Sequence, residues 1–370
     1  MNDTNQIEEN QITNEALNQI KLQKCKRVVK LDIIRTFAIL CVMLCHALEG
    51  MQAFINGKGD YVALSIFHTI ARLGVPMFLF LSGCLLLKKS LNSDEEVKEF
   101  YKKNLLPLII VNYIWIVFYN IFFWFSGQRE FVNAEKIIKE LLFLNLVPVP
   151  NMWYLPMIIG MYLGIPFIAK IIKTFSLKTL KIMIIFLIIS SFLIPGINEL
   201  LSTAEIKQDL ELTLDLHFLG GTYGVYIILG YYMYNANINN LDKKWLIICA
   251  LVCFFAAAVK RFLLEGIWYN SLYLLLTSIC VFILFNYIEE EKINEKLGKI
   301  CTYISKRSLG LFFIHYIIQT VLYNFVVSIP IASATVKSII LFIGVTMLSV
   351  LVIKIVSKIK FISKHILLIK

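Results

Sequence analysis

The segment LDIIRTFAILCVMLCHALEG, residues 31–50, is apolar over most of its length but carries four ionisable side chains. Asp32 and Arg35 lie near its start, and His46 and Glu49 lie near its end. A helix of about 20 apolar residues spans a bilayer, where ionisable groups are costly and by default mark a functional site. The segment therefore predicts a transmembrane helix that contributes to such a site.

The composition of the whole chain is that of a polytopic membrane protein. Hydrophobic residues make up 58% of the 370 residues and charged residues 16%, and the mean hydropathy is +0.74. A soluble domain carries more charged residues than this. The net charge is +11, but Lys and Arg occur in short clusters between apolar segments. This pattern is typical of cytoplasmic loops, so we expect membrane lipids and no nucleic acid as partners.

Apolar segments of transmembrane length predict an all-α helical bundle with about ten spans. The predicted spans are residues 31–48, 66–87, 105–125, 153–172, 180–195, 216–234, 245–264, 271–288, 309–328 and 338–356. Lys and Arg are concentrated in alternate loops and in both tails, which predicts that both termini are cytoplasmic. An even number of spans agrees with this orientation. We expect a multi-pass protein of the cell membrane.

The predicted membrane domain, residues 31–356, lies between two tails. Residues 1–30 are rich in Asn, Gln and Glu in their first part, which predicts a partly disordered cytoplasmic tail and not a signal peptide. Residues 357–370 are predicted to form a basic cytoplasmic tail. The eight cysteines include no CxxC and no metal-type spacing with His, so no metal is expected.

Arg35 and His46 are eleven residues apart, which places them on one helix face about 16 Å apart along the axis. Glu49 lies close to the same face and could orient the imidazole. Asp32 could pair with Arg35 near the cytoplasmic interface. The alternatives are a plain interfacial anchor for Asp32 and Arg35, and a neutral, hydrogen-bonded histidine for His46.

Four sequence blocks resemble the acyltransferase type 3 family of integral membrane proteins. Asp32, Arg35, Ala38, Ile39 and His46 are similar to its first-helix pattern of a basic residue, ten residues and a histidine. The other blocks are ARLGVPMFLFLSGCLLL (71–87), MWYLPMIIGMYLGIPFI (152–168) and SLGLFFIHY (308–316). The likeness covers nearly the whole chain in the family's order.

The resemblance implies an O-acyltransferase that moves an acyl group, usually acetyl from acetyl-CoA as cosubstrate, to a hydroxyl of a glycan or lipid-linked saccharide. His46 is then the predicted general base, or the nucleophile of an acyl-histidine intermediate, with Glu49 beside it. Arg35 is expected to bind the phosphates of CoA, with Asp32 nearby.

Four further residues are predicted to bind substrate. Arg72, at the outer end of the second span, either binds an anionic acceptor group, polarises a carbonyl or snorkels to the interface. Trp153 and Tyr154 either belong to an interfacial aromatic belt or stack on a sugar ring. His315, inside the ninth span, either helps to hold the CoA arm or bonds a neighbouring helix.

The chain departs from the family in two respects. We expect no extracytoplasmic hydrolase-like domain, so either the bundle completes the transfer or a separate partner does. Val75-Pro76 stands where many members carry Val-Asp, which makes Glu49 the candidate replacement for that acid. The sequence leaves open the acceptor, acetyl versus succinyl transfer, and whether the chain forms a homo-oligomer.

The competing hypothesis is a transporter or flippase that exports a small molecule or a lipid-linked sugar. Buried Arg and His residues also suit a substrate pathway through a membrane. An inverted repeat or paired broken helices would favour this hypothesis, and neither is evident in the sequence. The acyltransferase is therefore the preferred interpretation, and an inactive membrane scaffold is disfavoured by the histidines inside the predicted spans.

Overall fold

The computed structural model describes residues 27–128, 130, 133–204, 210, 221–236, 241–264 and 266–369. In chain order its helices are α1 Val29–Met51, α2 Gly57–Ala71, α3 Gly74–Leu86, α4 Asp94–Phe100, α5 Leu106–Phe125, α6 Ala134–Leu141, α7 Tyr154–Thr174, α8 Leu177–Ile188, α9 Ile194–Thr203, α10 Gly221–Asn235, α11 Lys243–Leu263, α12 Leu272–Asn286, α13 Glu295–Lys306, α14 Ser308–Ser328 and α15 Ala334–Val356. Single turns of π- or 3₁₀-helix join or extend several of them. No strand occurs within these ranges, which confirms the predicted all-α fold.

Eight helical segments in the described part of the chain are long and apolar enough to cross a membrane. They are Val29–Phe54, Gly57–Leu86, Asp94–Phe125, Tyr154–Thr174, Leu177–Ser202, Lys243–Leu263, Ser308–Ser328 and Ala334–Val356. The sixth predicted span overlaps α10, which is described from Gly221 onwards, and the eighth corresponds to α12. The 15 residues of α12 form a helix about 22 Å long, shorter than the apolar core of a bilayer. The protein is thus a multi-pass membrane bundle.

Two parts of the predicted organisation involve residues that the structure does not describe. Residues 1–26 of the predicted tail are among them, and so is the start of the sixth predicted span, including Asp215 and His217. The other tail packs on the bundle where it is described. There, Trp115 Nε1 donates a hydrogen bond of 3.2 Å to the carbonyl of Ile366, and Leu367 is buried.

Helix α1 forms the centre of the bundle. In the most apolar part of its segment 72% of residues are buried, compared with 22% in α15. A helix that is apolar on all sides is suited to such a position, and α2, α3, α13, α14 and α15 all pack against α1. Ionisable side chains on α1 therefore point into protein rather than into lipid.

The second predicted span is broken in the middle. Helix α2 already begins at Gly57, nine residues before the predicted start, and a turn at Arg72 and Leu73 separates it from α3. Pro76 has no N–H and tolerates only the first turn of a helix, which suits a new helix starting at Gly74. Arg72 therefore lies at the break within the 30-residue segment Gly57–Leu86 and not near the start of a single continuous helix.

Helices α3 and α10 touch through their backbones. A Cβ atom at Gly83 would lie 1.9 Å from the carbonyl oxygen of Ile227, and one at Gly230 would lie 2.2 Å from that of Phe80. Small residues permit such close approach between membrane helices. Gly83 thus lies on the face of α3 that packs against α10, while the neighbouring Ser82 points to the other side of α3 and lines a cavity.

Candidate functional site

A cavity of about 510 Å³ runs along one face of α1. The lining residues from α1 are Arg35, Val42, Cys45, His46 and Glu49. By helical rise Arg35 and Glu49 lie about 21 Å apart along the axis. The remaining lining comes mainly from α3, the start of α7, the start of α14 and the loop before α12. The volume lies within the usual range of small-molecule sites.

His46 and Glu49 form a hydrogen-bonded pair in this cavity. His46 Nδ1 lies 3.0 Å from Glu49 Oε2. Because an ionised carboxylate only accepts hydrogen bonds, we assign the proton of the neutral imidazole to Nδ1. Among the described residues Nε2 has no hydrogen-bond partner. The pair thus presents an unprotonated nitrogen in the cavity, which is the arrangement of a general base with a carboxylate that fixes its tautomer.

The other oxygen of Glu49 faces three more side chains. Oε1 accepts a hydrogen bond of 3.1 Å from Arg72 Nη2, and it lies 3.5 Å from Cys45 Sγ and 3.7 Å from His68 Nε2. The guanidinium of Arg72 compensates the partly buried carboxylate, which would otherwise be costly. Cys45 and His68 were not singled out from the sequence.

Arg72 also joins the loop before α12 to the site. Its Nη1 donates a hydrogen bond of 3.3 Å to Tyr269 Oη, and its Cζ lies 5.8 Å from the ring centroid of Trp268. Burial raises the pKa of the Tyr269 phenol, so this side chain stays neutral at physiological pH. Trp268 itself is 66% exposed, which places an aromatic face at the mouth of the cavity.

Four aromatic side chains form a cluster beside Arg72. Trp153 contacts Tyr154, Tyr223 and Tyr269, with ring centroids 6.0, 5.8 and 5.5 Å away. Trp153 and Tyr154 both line the cavity. The aromatic cluster is therefore a part of the site and not a belt facing only lipid.

Arg35 lies towards the opposite end of the cavity. In the described ranges its guanidinium makes no hydrogen bond or ion pair, so its donors are available to a ligand. The predicted pairing with Asp32 is wrong. Asp32 instead forms a bidentate pair with Arg27, both contacts being 2.6 Å, and accepts hydrogen bonds from Ser305 and Thr302. These bonds attach α1 to α13, and Asp32 does not line the cavity.

His315 lies directly behind His46. The two imidazole rings are stacked with centroids 5.5 Å apart and an interplanar angle of 28°. Nδ1 of His315 bonds the carbonyl of Leu311 at 3.0 Å, and Nε2 has no partner in the described chain. His315 is fully buried and does not line the cavity. Its position suits support of His46 rather than contact with the CoA arm.

Three potential metal ligands lie together in the site. Ligand atoms of Cys45, Glu49 and His68 lie within 4.8 Å of one another. However, Arg72 already bonds Glu49 at 3.1 Å. A guanidinium beside the carboxylate opposes a divalent cation at this position. The arrangement therefore suits an anion or a developing negative charge better than a metal.

Six of the eight predicted site residues line one cavity. They are Arg35, His46, Glu49, Arg72, Trp153 and Tyr154. Asp32 and His315 lie outside it. The residues that sequence reasoning missed are Cys45, His68, Trp268 and Tyr269; His68 is an ionisable group inside an apolar segment, a signal that could have identified it.

Comparison with curated proteins and with solved structures gave no significant match. A family model described as "Acyltransferase domain" matches residues 28–357, which is nearly the whole chain. The match includes both ends of the cavity and every helix that lines it. Together with the helical membrane bundle, it shows that this chain belongs to the acyltransferase type 3 family of integral membrane proteins.

Proposed function

We propose that this chain transfers an acetyl group from acetyl-CoA to a hydroxyl of a cell-surface glycan or lipid-linked saccharide, at the cell membrane. The proposed catalytic unit is residues 31–356. The observation that carries the proposal is the cavity along α1, in which Arg35, without a partner among the described residues, lies towards one end and the His46–Glu49 pair lies farther along. The family match supports acyl transfer in general.

His46 is the proposed general base. A hydroxyl is a weak nucleophile at neutral pH, and an imidazole within hydrogen-bond distance accelerates its attack by about 10²–10⁴-fold. The carboxylate of Glu49, 3.0 Å from Nδ1, keeps Nε2 free to accept the proton and stabilises the imidazolium that forms. Arg72, which bonds Glu49 and lines the same cavity, is the proposed stabiliser of the oxyanion of the tetrahedral intermediate.

The donor is proposed to enter from the Arg35 end. A guanidinium with free donors suits the phosphates of CoA, which it can bind in a bidentate manner. The apolar lining between Arg35 and His46, which includes Val42 and Phe78, suits the pantetheine arm. This arrangement directs the thioester along the cavity towards His46.

The acceptor is proposed to enter from the end formed by Arg72, Trp153, Tyr154 and Trp268. Aromatic faces beside a charged group suit a saccharide, because the C–H face of a sugar ring packs on them while its hydroxyls stay solvated. Trp268, 66% exposed at the mouth, is the first side chain that such an acceptor would meet.

The test uses inverted membrane vesicles that contain the protein, supplied with radiolabelled acetyl-CoA. For wild type we expect release of CoA and transfer of label to endogenous lipid-linked saccharide or glycan. His46→Ala should reduce transfer by about 10²–10⁴-fold while inserting normally. Absence of CoA release from wild type with every acceptor tested would contradict the proposal and favour the transporter hypothesis.

Arg35→Ala tests the donor end in the same vesicles. Loss of a charge-assisted contact of about 1.5–3 kcal/mol predicts an increase of about 10–100-fold in the KM for acetyl-CoA. The matched control is Lys306→Ala, which removes an exposed cation at the end of α13, outside the cavity. An equal increase in both variants would contradict the role of Arg35 as a phosphate ligand.

A further inference from the structure

The thiol of Cys45 is placed beside the proposed base but has no role in the mechanism above. Among the cysteines that the structure describes, Cys45 is the one that lines the cavity. Its Sγ lies 3.5 Å from Glu49 Oε1 and 4.0 Å from His68 Nε2. A thiol, an imidazole and a carboxylate within contact distance form the constellation found in cysteine nucleophiles.

The surroundings of Cys45 suit the charge changes of nucleophilic attack. The thiol donates a hydrogen bond to Glu49 Oε1, and His68 Nε2, 4.0 Å from Sγ, is the base placed to take its proton. Arg72 lies 3.1 Å from that oxygen, and Arg261, 1% exposed, bonds only Tyr61 and Gln52 and has no carboxylate partner in the described chain. The Arg72 guanidinium, which lines the same cavity as Cys45, can stabilise negative charge on the carbonyl oxygen under attack.

The size of the cavity gives a reason for a covalent step. Arg35, His46 and Trp268 all line the same cavity, which has a volume of about 510 Å³. The donor and the acceptor must therefore both reach His46 within this one cavity. If the acyl group first moves to the protein, CoA can leave before the acceptor enters. Transfer from one thiol to another exchanges one thioester for another, so little energy of the donor is lost.

We infer that Cys45 carries the acyl group as a thioester during the reaction; this inference rests on the proposed function. His68 accepts the Cys45 proton, Sγ attacks the thioester carbonyl carbon, the bond to the CoA sulfur breaks, and the CoA thiolate takes the proton from His68 and leaves. The acceptor hydroxyl then gives its proton to His46, and its oxygen attacks the carbonyl carbon. The bond to Sγ breaks, and the Cys45 thiolate regains the proton from His46.

The decisive measurement is exchange of label between acetyl-CoA and radiolabelled CoA in purified protein without any acceptor. A covalent intermediate makes this half-reaction reversible, so wild type should catalyse the exchange and carry an acetyl group that fragmentation in mass spectrometry locates on Cys45. Cys45→Ala and Cys45→Ser should each lower the rate of exchange by at least about 100-fold. Cys41→Ala, which removes a buried thiol one turn away and outside the cavity, should keep it.

The outcomes separate this inference from the proposed function. Acceptor-dependent CoA release by wild type without exchange, or exchange that persists in a folded Cys45→Ser protein, overturns the role of Cys45 and leaves the acyltransferase intact. An acetyl group that fragmentation locates on His46 instead of Cys45, or stoichiometric zinc that is lost in Cys45→Ala, likewise overturns it. Failure of wild type to consume acetyl-CoA under any condition is instead a failure of the proposed function.

Discussion

Glu49 connects more functional groups of the cavity than any other described side chain. One carboxylate oxygen bonds His46 at 3.0 Å, and the other bonds Arg72 at 3.1 Å and faces Cys45 and His68. A partly buried carboxylate with several partners is stable only while those partners remain. Any change at Glu49 is therefore expected to alter the tautomer of His46 and the position of Arg72 together.

Glu49→Gln should lower kcat by about 10²–10⁴-fold, because the amide keeps the shape but neither stabilises the imidazolium nor fixes the tautomer. The measurement is the rate of acetyl transfer in vesicles at saturating acetyl-CoA. If the two residues act as a unit, Glu49→Gln/His46→Ala should be no slower than His46→Ala alone. Losses that simply add would contradict the coupling, and Glu135→Gln, an exposed site on α6, is the control.

Helix α3 has two faces with different tasks. Val75, Phe78 and Ser82 line the cavity, whereas Phe80 and Gly83 meet α10 on the other side. The contact with α10 joins backbone to backbone, which is possible only because Gly83 and Gly230 have no side chain. The position of the cavity wall thus depends on two residues that do not touch the cavity.

Gly83→Ala should destabilise the protein by about 1–3 kcal/mol, since the new methyl group overlaps the carbonyl of Ile227. The matched control is Gly160→Ala in α7, where a Cβ would meet nothing within 4 Å and where alanine favours the helix by about 0.5–1 kcal/mol. Thermal unfolding in detergent, followed by fluorescence, should show a lower Tm for the first variant only. Equal Tm values would mean that α3 and α10 can separate without cost.

At the scale of the whole molecule, the cavity connects regions that are predicted to lie towards opposite faces of the membrane. Arg35 is near the start of α1, and Trp268 is in the loop between α11 and α12. The clusters of Lys and Arg predict that the Arg35 end is cytoplasmic. Donor and acceptor would then approach from different compartments.

Thiol labelling in intact cells tests this orientation. Lys58→Cys, just after α1, should react with a membrane-impermeant maleimide, and Asp94→Cys, at the start of α4, should react only after the cells are opened. Both native residues are exposed, and the wild-type chain gives the background from its own cysteines. Labelling in the reverse order would place the Arg35 end outside and would exclude cytoplasmic CoA as its ligand.

The sequence predicts contacts within one helix better than contacts between distant segments. Helical spacing alone places Arg35, His46 and Glu49 on one face, and they line one cavity. The approach of Tyr269 to Arg72, across 197 residues, depends on loop packing that no local pattern encodes. His68 was missed because the second span was predicted to begin at residue 66, which put this side chain at a membrane interface instead of beside Glu49.

The backbone contact between Gly83 and Gly230 has a consequence for the length of the acyl chain. A binding site accepts longer chains when a wall can move away from the substrate. Here the wall formed by Phe78 and Ser82 is supported from behind by main-chain atoms, which, unlike side chains, cannot change rotamer to make room. Rigid support on that side limits the space around the pantetheine arm and the thioester that it carries, so selectivity for short acyl groups would be a property of how α3 and α10 are packed.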